Sequence, residues 1–288
     1  MILDDFYSDK FLPNAQARLR ANTVDGYERK YRNHIQPRFG RMELGDVTSY
    51  MLEEWVNSIP TPGSARGCWA VMRTILRKAV KWGDLNTDPT VRVDIPKRGL
   101  YQPKTLSELE VKQLRKGFRN HFLEAYVIVS VGLGLRRGEA VGLDWEDINP
   151  HTGEVRIHRS VQVLNGISVE YSPKTLLSDR SVWLTNQARR RLKRIQRKGK
   201  LSGRICGELT ANQVSRIYAE HCHDNHLPYV PPTNLRHTWA TLAVERGVDI
   251  AVVSKCLGHA DITTTARYYV RITERMKRSA QRRRFLAR

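Results

Sequence analysis

Apolar residues recur along this chain with two periods, and the change between them divides it. Through residues 1–92 they fall three or four apart, the spacing of helices with one buried face. Thr23 is placed to cap a helix carrying Val24, Tyr27 and Tyr31, which Pro37 and the Phe39-Gly40 turn end. Asp46-Val47 or Thr48 starts a second helix, bearing Tyr50, Met51, Trp55 and Val56. A third covers residues 64–82 and aligns Trp69, Met72, Ile75, Leu76 and Ala79 on one stripe before Pro89 stops the pattern. These apolar side chains read as core.

Residues 93–104 lose the period. Pro96, Gly99 and Pro103 interrupt them and the segment is basic, so it reads as an interdomain linker. Thr105 or Ser107 then caps a new helix with Glu108 or Glu110 in its first turn. Residues 121–142 are strongly apolar, with Gly132, Gly134 and Gly138 permitting tight turns or close packing. Over residues 154–185 the pattern alternates. Val155, Ile157 and Val161 precede the turn pair Asn165-Gly166; Ile167, Val169 and Tyr171 follow, then a loop, then Val182-Trp183-Leu184. One three-stranded antiparallel sheet is expected, with helices resuming at Gln187. The expected fold is therefore mainly α with this small sheet.

Composition narrows the partner. The chain has 288 residues, 40% apolar and 27% charged, and carries a formal net charge of +20. Residues 1–92 hold 14 basic and 11 acidic residues, so the excess lies downstream. Residues 186–204 contain nine basic residues and no acid, and residues 271–288 contain eight against Glu274 alone. Such a surface suits a polyanion, most simply nucleic acid. Cys68, Cys206, Cys222 and Cys256 form no framework, which points to a reduced, cytoplasmic setting. His221-Cys222-His223 with His226 lacks a second paired half, so no metal is expected, and no apolar run reaches membrane-spanning length.

The chemistry lies in an ordered set: Arg136 and Glu139 in one segment, Lys174 in the loop before the last strand, then Thr233, Arg236, His259 and Tyr268. A phosphodiester resists nucleophiles because of its own charge, and cations clamping its non-bridging oxygens relieve that resistance in the transition state. Arginine suits the task because its planar fork stays charged and binds two oxygens at once. Arg136 and Arg236 read as the clamps, Tyr268 as the nucleophile and Lys174 as the proton donor to the leaving oxygen. His259 can hydrogen-bond the phosphate or help move the tyrosine proton. Glu139, within one helical turn of Arg136, could orient a neighbouring basic group. Tyr269 competes with Tyr268.

These segments resemble the tyrosine recombinase, or phage integrase, family over nearly the whole chain. "GLGLRRGEAVGLDWEDI" resembles that family's first arginine box, "SPKTLLSDRSVWL" its lysine hairpin, and "TNLRHTWATLAVERGVDIAVVSKCLGHADITTTARYY" its second box through the nucleophile. One departure stands out: the family usually has histidine three residues before the second arginine, where this chain has Thr233. Threonine cannot act as acid or base there but can donate one hydrogen bond. The interval after His259 favours Tyr268 over Tyr269.

The resemblance implies a helical, SAM-like core-binding domain over residues 1–92, the linker, a catalytic domain over 105–270 and a basic tail over 271–288. It implies site-specific recombination through a 3′-phosphotyrosyl intermediate without cofactor, in phage or mobile-element integration and excision. Double-stranded core or attachment sites would be the substrate, bound by a homotetramer whose tails are exchanged between protomers, with a possible accessory directionality factor. The setting would be the nucleoid of a bacterial host. Resolution of chromosome or plasmid dimers and transposition are alternatives within the family. Outside it, residues 240–258 also read as a helix-turn-helix, as in a non-enzymatic regulator.

Overall fold

The computed structural model describes residues 1–97, 103–164, 166–171, 179–259 and 261–263. It divides into two compact units, Met1–Tyr101 and Gln102–Arg288.

The first unit is helical. Helices α1 (Leu3–Asp5) and α2 (Leu12–Arg18) flank the wide turns of Phe6–Phe11; α3 (Ala21–Lys30) and α4 (Gln36–Phe39) flank those of Tyr31–Ile35. Then come α5 (Ser49–Ser58) and α6 (Pro62–Trp82). Thr23 does not cap α3: the helix begins two residues earlier, and the Thr23 N–H already donates to the Arg20 carbonyl. Pro37 does not end the helical path either. It sits in the first turn of α4, and the wide turn before it, where the Gln36 N–H reaches back to the Tyr31 carbonyl, accommodates the missing donor. Thr48 caps α5, and Gly83, at φ 81°, ends α6. Tyr7, Tyr31, Phe39, Trp55, Trp69 and Met72 are among the side chains of one continuous core.

The second unit opens with α7 (Glu108–Gly117), started by a reciprocal cap between Ser107 and Glu110. Its centre is α8 (Glu124–Leu133), buried along nearly its whole length. After α8 the chain turns through Gly134 into α9 (Arg137–Val141). A Cβ on Gly138 would stand 2.6 Å from the Val161 carbonyl oxygen, so α9 lies closer to the strand beneath it than any larger residue permits.

The strands are β1 (Glu154–Ile157), β2 (Ser160–Leu164), β3 (Ile167–Tyr171) and β4 (Arg180–Trp183). Among the described residues they form two two-stranded antiparallel ladders, β1 with β4 and β2 with β3, rather than the single three-stranded sheet expected. The alternation before Asn165 belongs to two strands broken at His158-Arg159. Those side chains are held by the turn before β1: His158 lies 2.8 Å from Asp147, and Arg159 binds both Asp144 and Asp147 at 2.5 and 2.8 Å. The chain bends there, so β1 and β2 take different partners. The expected hairpin is present, with Leu164 opposite Ile167 and Gly166 at φ 82°.

Helices α10 (Asn186–Gly199), α11 (Ala211–Asp224), α12 (Pro232–Glu245) and α13 (Ile250–Leu257) follow. Ala240, Val244, Val253 and Leu257 pack α12 against α13, and Gly247, at φ 87°, makes the break between them.

Candidate active site

Three arginines of the second unit converge on one carboxylate, that of Glu139. Arg136 is the residue from which α9 starts, and its backbone N–H donates to Glu139 Oε2 at 2.8 Å. The same arginine's Nη1 donates to Glu139 Oε1 at 2.6 Å. Arg180, the first residue of β4, donates through Nη2 to Oε2 at 2.9 Å and through Nη1 to Oε1 at 3.2 Å. Arg236, in the second turn of α12, brings Nη1 to 3.9 Å from Oε2. Burial alone would raise the Glu139 carboxyl pKa; the hydrogen bonds and charge of Arg180, then the charge of Arg136, outweigh it and hold the group down at about 2. Glu139 is therefore an anion at any working pH.

A second set of acceptors faces the same arginines. The last carbonyls of a helix have no partner within it and carry its partial negative charge. At the end of α13 three successive carbonyls are taken by three different guanidinium groups: Cys256 by Arg180 Nε at 2.8 Å, Leu257 by Arg236 Nη2 at 2.7 Å, and Gly258 by Arg136 Nη2 at 2.9 Å. Gly258, at φ 66°, ends α13 in a left-handed cap. Arg236 also donates to the Gly134 carbonyl at 3.2 Å.

Exposure separates the three arginines. The Arg136 side chain is 41% exposed, whereas Arg180 and Arg236 are at 8% and 9%. Arg136 is thus the guanidinium most open to a solvent-borne phosphate. His259 follows the α13 cap directly. Burial, then the positive charges of Arg236 and Arg136, then His237 and Arg180, push its imidazole down to about 4. It is neutral at neutral pH, so it can donate one hydrogen bond or accept one. His237 is half-buried and likewise shifted down, by burial first and then by Arg236. Thr233 lies exposed one helical turn before Arg236, its hydroxyl 3.4 Å from the Asn234 side-chain oxygen.

Arg136, Glu139, Arg236 and His259 thus lie in one cluster, with Thr233 a turn away on α12. Lys174, Tyr268, Tyr269 and the tail at residues 271–288 lie outside the described residues. Arg180 was not anticipated. A signal was present: it stands two residues before buried Val182 and so shares its face of β4, and a charge on the inward face of a strand needs a buried counter-charge. Among the described residues no group of three His, Cys, Asp or Glu is placed to hold a metal ion.

Comparisons with known proteins bear on this arrangement. The model of the phage integrase family matches residues 104–276, and that of the phage integrase N-terminal SAM-like domain matches residues 5–59. A tyrosine recombinase XerC-like protein of Caldanaerobacter subterraneus is 27% identical over 293 residues, covering 88% of this chain and 75% of that protein. Tyrosine recombinase XerA of Pyrococcus furiosus is 30% identical over 217 residues, covering 71% and 70%. Among solved structures, the Tn1549 transposon integrase in complex with a circular intermediate DNA superimposes with a TM-score of 0.80 at 15% identity, over 96% of this chain and 99% of that one. A lambda integrase dimer bound to a COC′ core site gives 0.72 at 17% identity, over 92% and 97%. At those identities the structural matches speak for the fold.

Proposed function

The chain belongs to the phage integrase family of tyrosine recombinases, and from that premise we propose that it cuts and rejoins DNA at specific sites through a 3′-phosphotyrosyl ester on Tyr268. The observation that carries the reading is the gathering of Arg136 and Arg236 around Glu139 and the end of α13, with His259 beside them. A pocket with this charge attracts an anion and needs no metal to do so.

In the proposed step the Tyr268 phenolic oxygen attacks the scissile phosphorus, forming one P–O bond as the bond to the 5′ oxygen breaks. Arg136 and Arg236 bind the non-bridging oxygens. The leaving 5′ oxygen takes a proton from Lys174, and the phenol proton passes to His259 or to water. Thr233 donates one hydrogen bond to the phosphate where a histidine is usual. Attack by a 5′ hydroxyl from the partner duplex reverses each transfer and joins new ends.

The proposed substrate is double-stranded DNA carrying a core or attachment site. Solved relatives described as a dimer on such a site and as a tetramer on a Holliday junction support assembly of a homotetramer here. Exchange of tails between protomers, and control by an accessory directionality factor, are further parts of the proposal, as is action on the nucleoid of a bacterial host. The described residues contain no helix long and apolar enough to cross a membrane. Integration or excision of a phage or mobile element fits the likeness to two integrases; relatives named XerC and XerA support the chemistry without choosing among integration, resolution and transposition. The test is covalent capture on nicked duplex DNA. Wild type should yield a protein–DNA adduct, Tyr268→Phe none and Tyr269→Phe an undiminished amount. Adduct formation by Tyr268→Phe would reject the nucleophile.

A further inference from the structure

Arg180 does not fit the division of labour above. It is nearly as buried as the carboxylate it binds, and it touches three elements at once. Its Nη atoms grip both oxygens of Glu139 on α9, its Nε holds the Cys256 carbonyl at the end of α13, and its own backbone begins β4. A two-point grip fixes the plane of a carboxylate as well as its position. Glu139 in turn holds the Arg136 backbone N–H and Nη1, so the aim of the exposed Arg136 guanidinium is set through Glu139.

We propose that Arg180 is a positioning residue for phosphodiester cleavage: it orients Glu139 so that Arg136 meets the scissile phosphate, and it ties the start of β4 to the helix end that precedes His259. The assignment rests on the recombinase reading. Each nitrogen of the Arg180 guanidinium donates to a protein acceptor, Nε to the Cys256 carbonyl and both Nη atoms to Glu139, so its role is to hold those groups, and a lysine in its place could satisfy one acceptor but not all three. Misaiming a clamp by a fraction of an ångström to an ångström costs about 10- to 100-fold in rate.

The test compares wild type with Arg180→Lys and Arg180→Gln on nicked duplexes chosen by covalent capture from random-sequence DNA on the wild-type chain. Each is prepared with an ordinary scissile phosphate and with a methylphosphonate, whose missing charge reduces the need for a guanidinium clamp. Arg180→Lys keeps a cation beside Glu139, so it guards against a folding failure of Arg180→Gln, and thermal melting checks both. The expected result for Arg180→Lys is a first-order rate of adduct formation about 10- to 100-fold below wild type on phosphate. On methylphosphonate the deficit should shrink to a few-fold, with DNA affinity unchanged on both. Equal deficits on the two substrates would assign Arg180 a structural role only and overturn the proposal, as would a wild-type rate for Arg180→Lys on phosphate. If wild type forms no adduct on any duplex, the recombinase reading fails and the proposal falls with it.

Discussion

Arg136 and Arg236, which start α9 and lie in α12, donate to neighbouring carbonyls, those of Gly258 and Leu257. Two guanidinium groups drawn from distant sequence are held by the carbonyls of consecutive residues at the end of α13. The helix end fixes their separation, and Glu139 behind them offsets part of their mutual repulsion.

That counter-charge makes Glu139 the most sensitive position of the cluster. Glu139→Ala would leave buried cations uncompensated, and removal of one partner from a buried pair costs about 3–5 kcal/mol. Chemical denaturation should show destabilisation in that range. The pH dependence has a definite sign. The folded-state carboxyl sits at about 2, below its ordinary 4.5, so its contribution is complete above 4.5 and disappears as pH falls through about 2. Wild-type stability should decline over that acid window, and Glu139→Ala should remove this component of the decline.

His259 titrates in the opposite sense. Its folded-state value of about 4 lies below the ordinary 6.5, so the unfolded chain binds a proton more readily. Its effect is to reduce stability as pH falls from 6.5 towards 4, with no further change below. Imidazole resonances followed by NMR should show His259 titrating near 4 in the free protein. A bound phosphate partly cancels the arginine charges, so DNA should move that midpoint upward. A midpoint unchanged by DNA would place the phosphate elsewhere.

Gly134 links backbone geometry to the site. It has φ 64°, and an added Cβ would stand 2.7 Å from the Trp239 ring and 3.1 Å from Leu257. Its carbonyl also accepts from Arg236. Gly134→Ala combines left-handed strain with a clash, and about 1–3 kcal/mol of destabilisation is expected. The rate of adduct formation should fall as well, because Arg236 shares the displaced backbone.

Thr233→His restores the residue usual for the family one turn before Arg236. The site is exposed, so the larger ring has room. Adduct formation should be unchanged or faster; a large drop would mean that the threonine hydroxyl has a role beyond a single hydrogen bond.

The basic helix α10 should contribute affinity without sequence preference. Ala188 and Leu192 face the core and Arg191 binds Glu124 at 2.6 Å, which leaves Arg190, Arg194, Arg197 and Lys198 exposed. Like charges at this spacing disfavour the helix by about 0.2–0.5 kcal/mol per pair, a penalty that a nearby phosphate relieves. Replacing these four with glutamine should weaken binding to all duplexes alike. It should also flatten the dependence of log affinity on log salt, by about 0.9 for each phosphate the variant no longer neutralises.

The order and spacing of chemistry-bearing residues made the family and much of the cluster legible without coordinates. Helix periodicity gave α5, α6 and the cap at Ser107 because these depend on neighbours a few residues away. Two things needed the folded chain. The break between β1 and β2 arises because Asp144 and Asp147 seize His158 and Arg159, a pairing that alternation of apolar residues does not encode. The partners of Arg180 could not be read either: its spacing from Val182 marks the inward face of a strand, but not which groups meet it there. Its meaning depends on Glu139 and the Cys256 carbonyl reaching it from separate elements. Local propensity and residue order act along the chain, whereas a buried charge is assigned by whichever partners the packing brings within hydrogen-bonding reach, and only the tertiary structure chooses those.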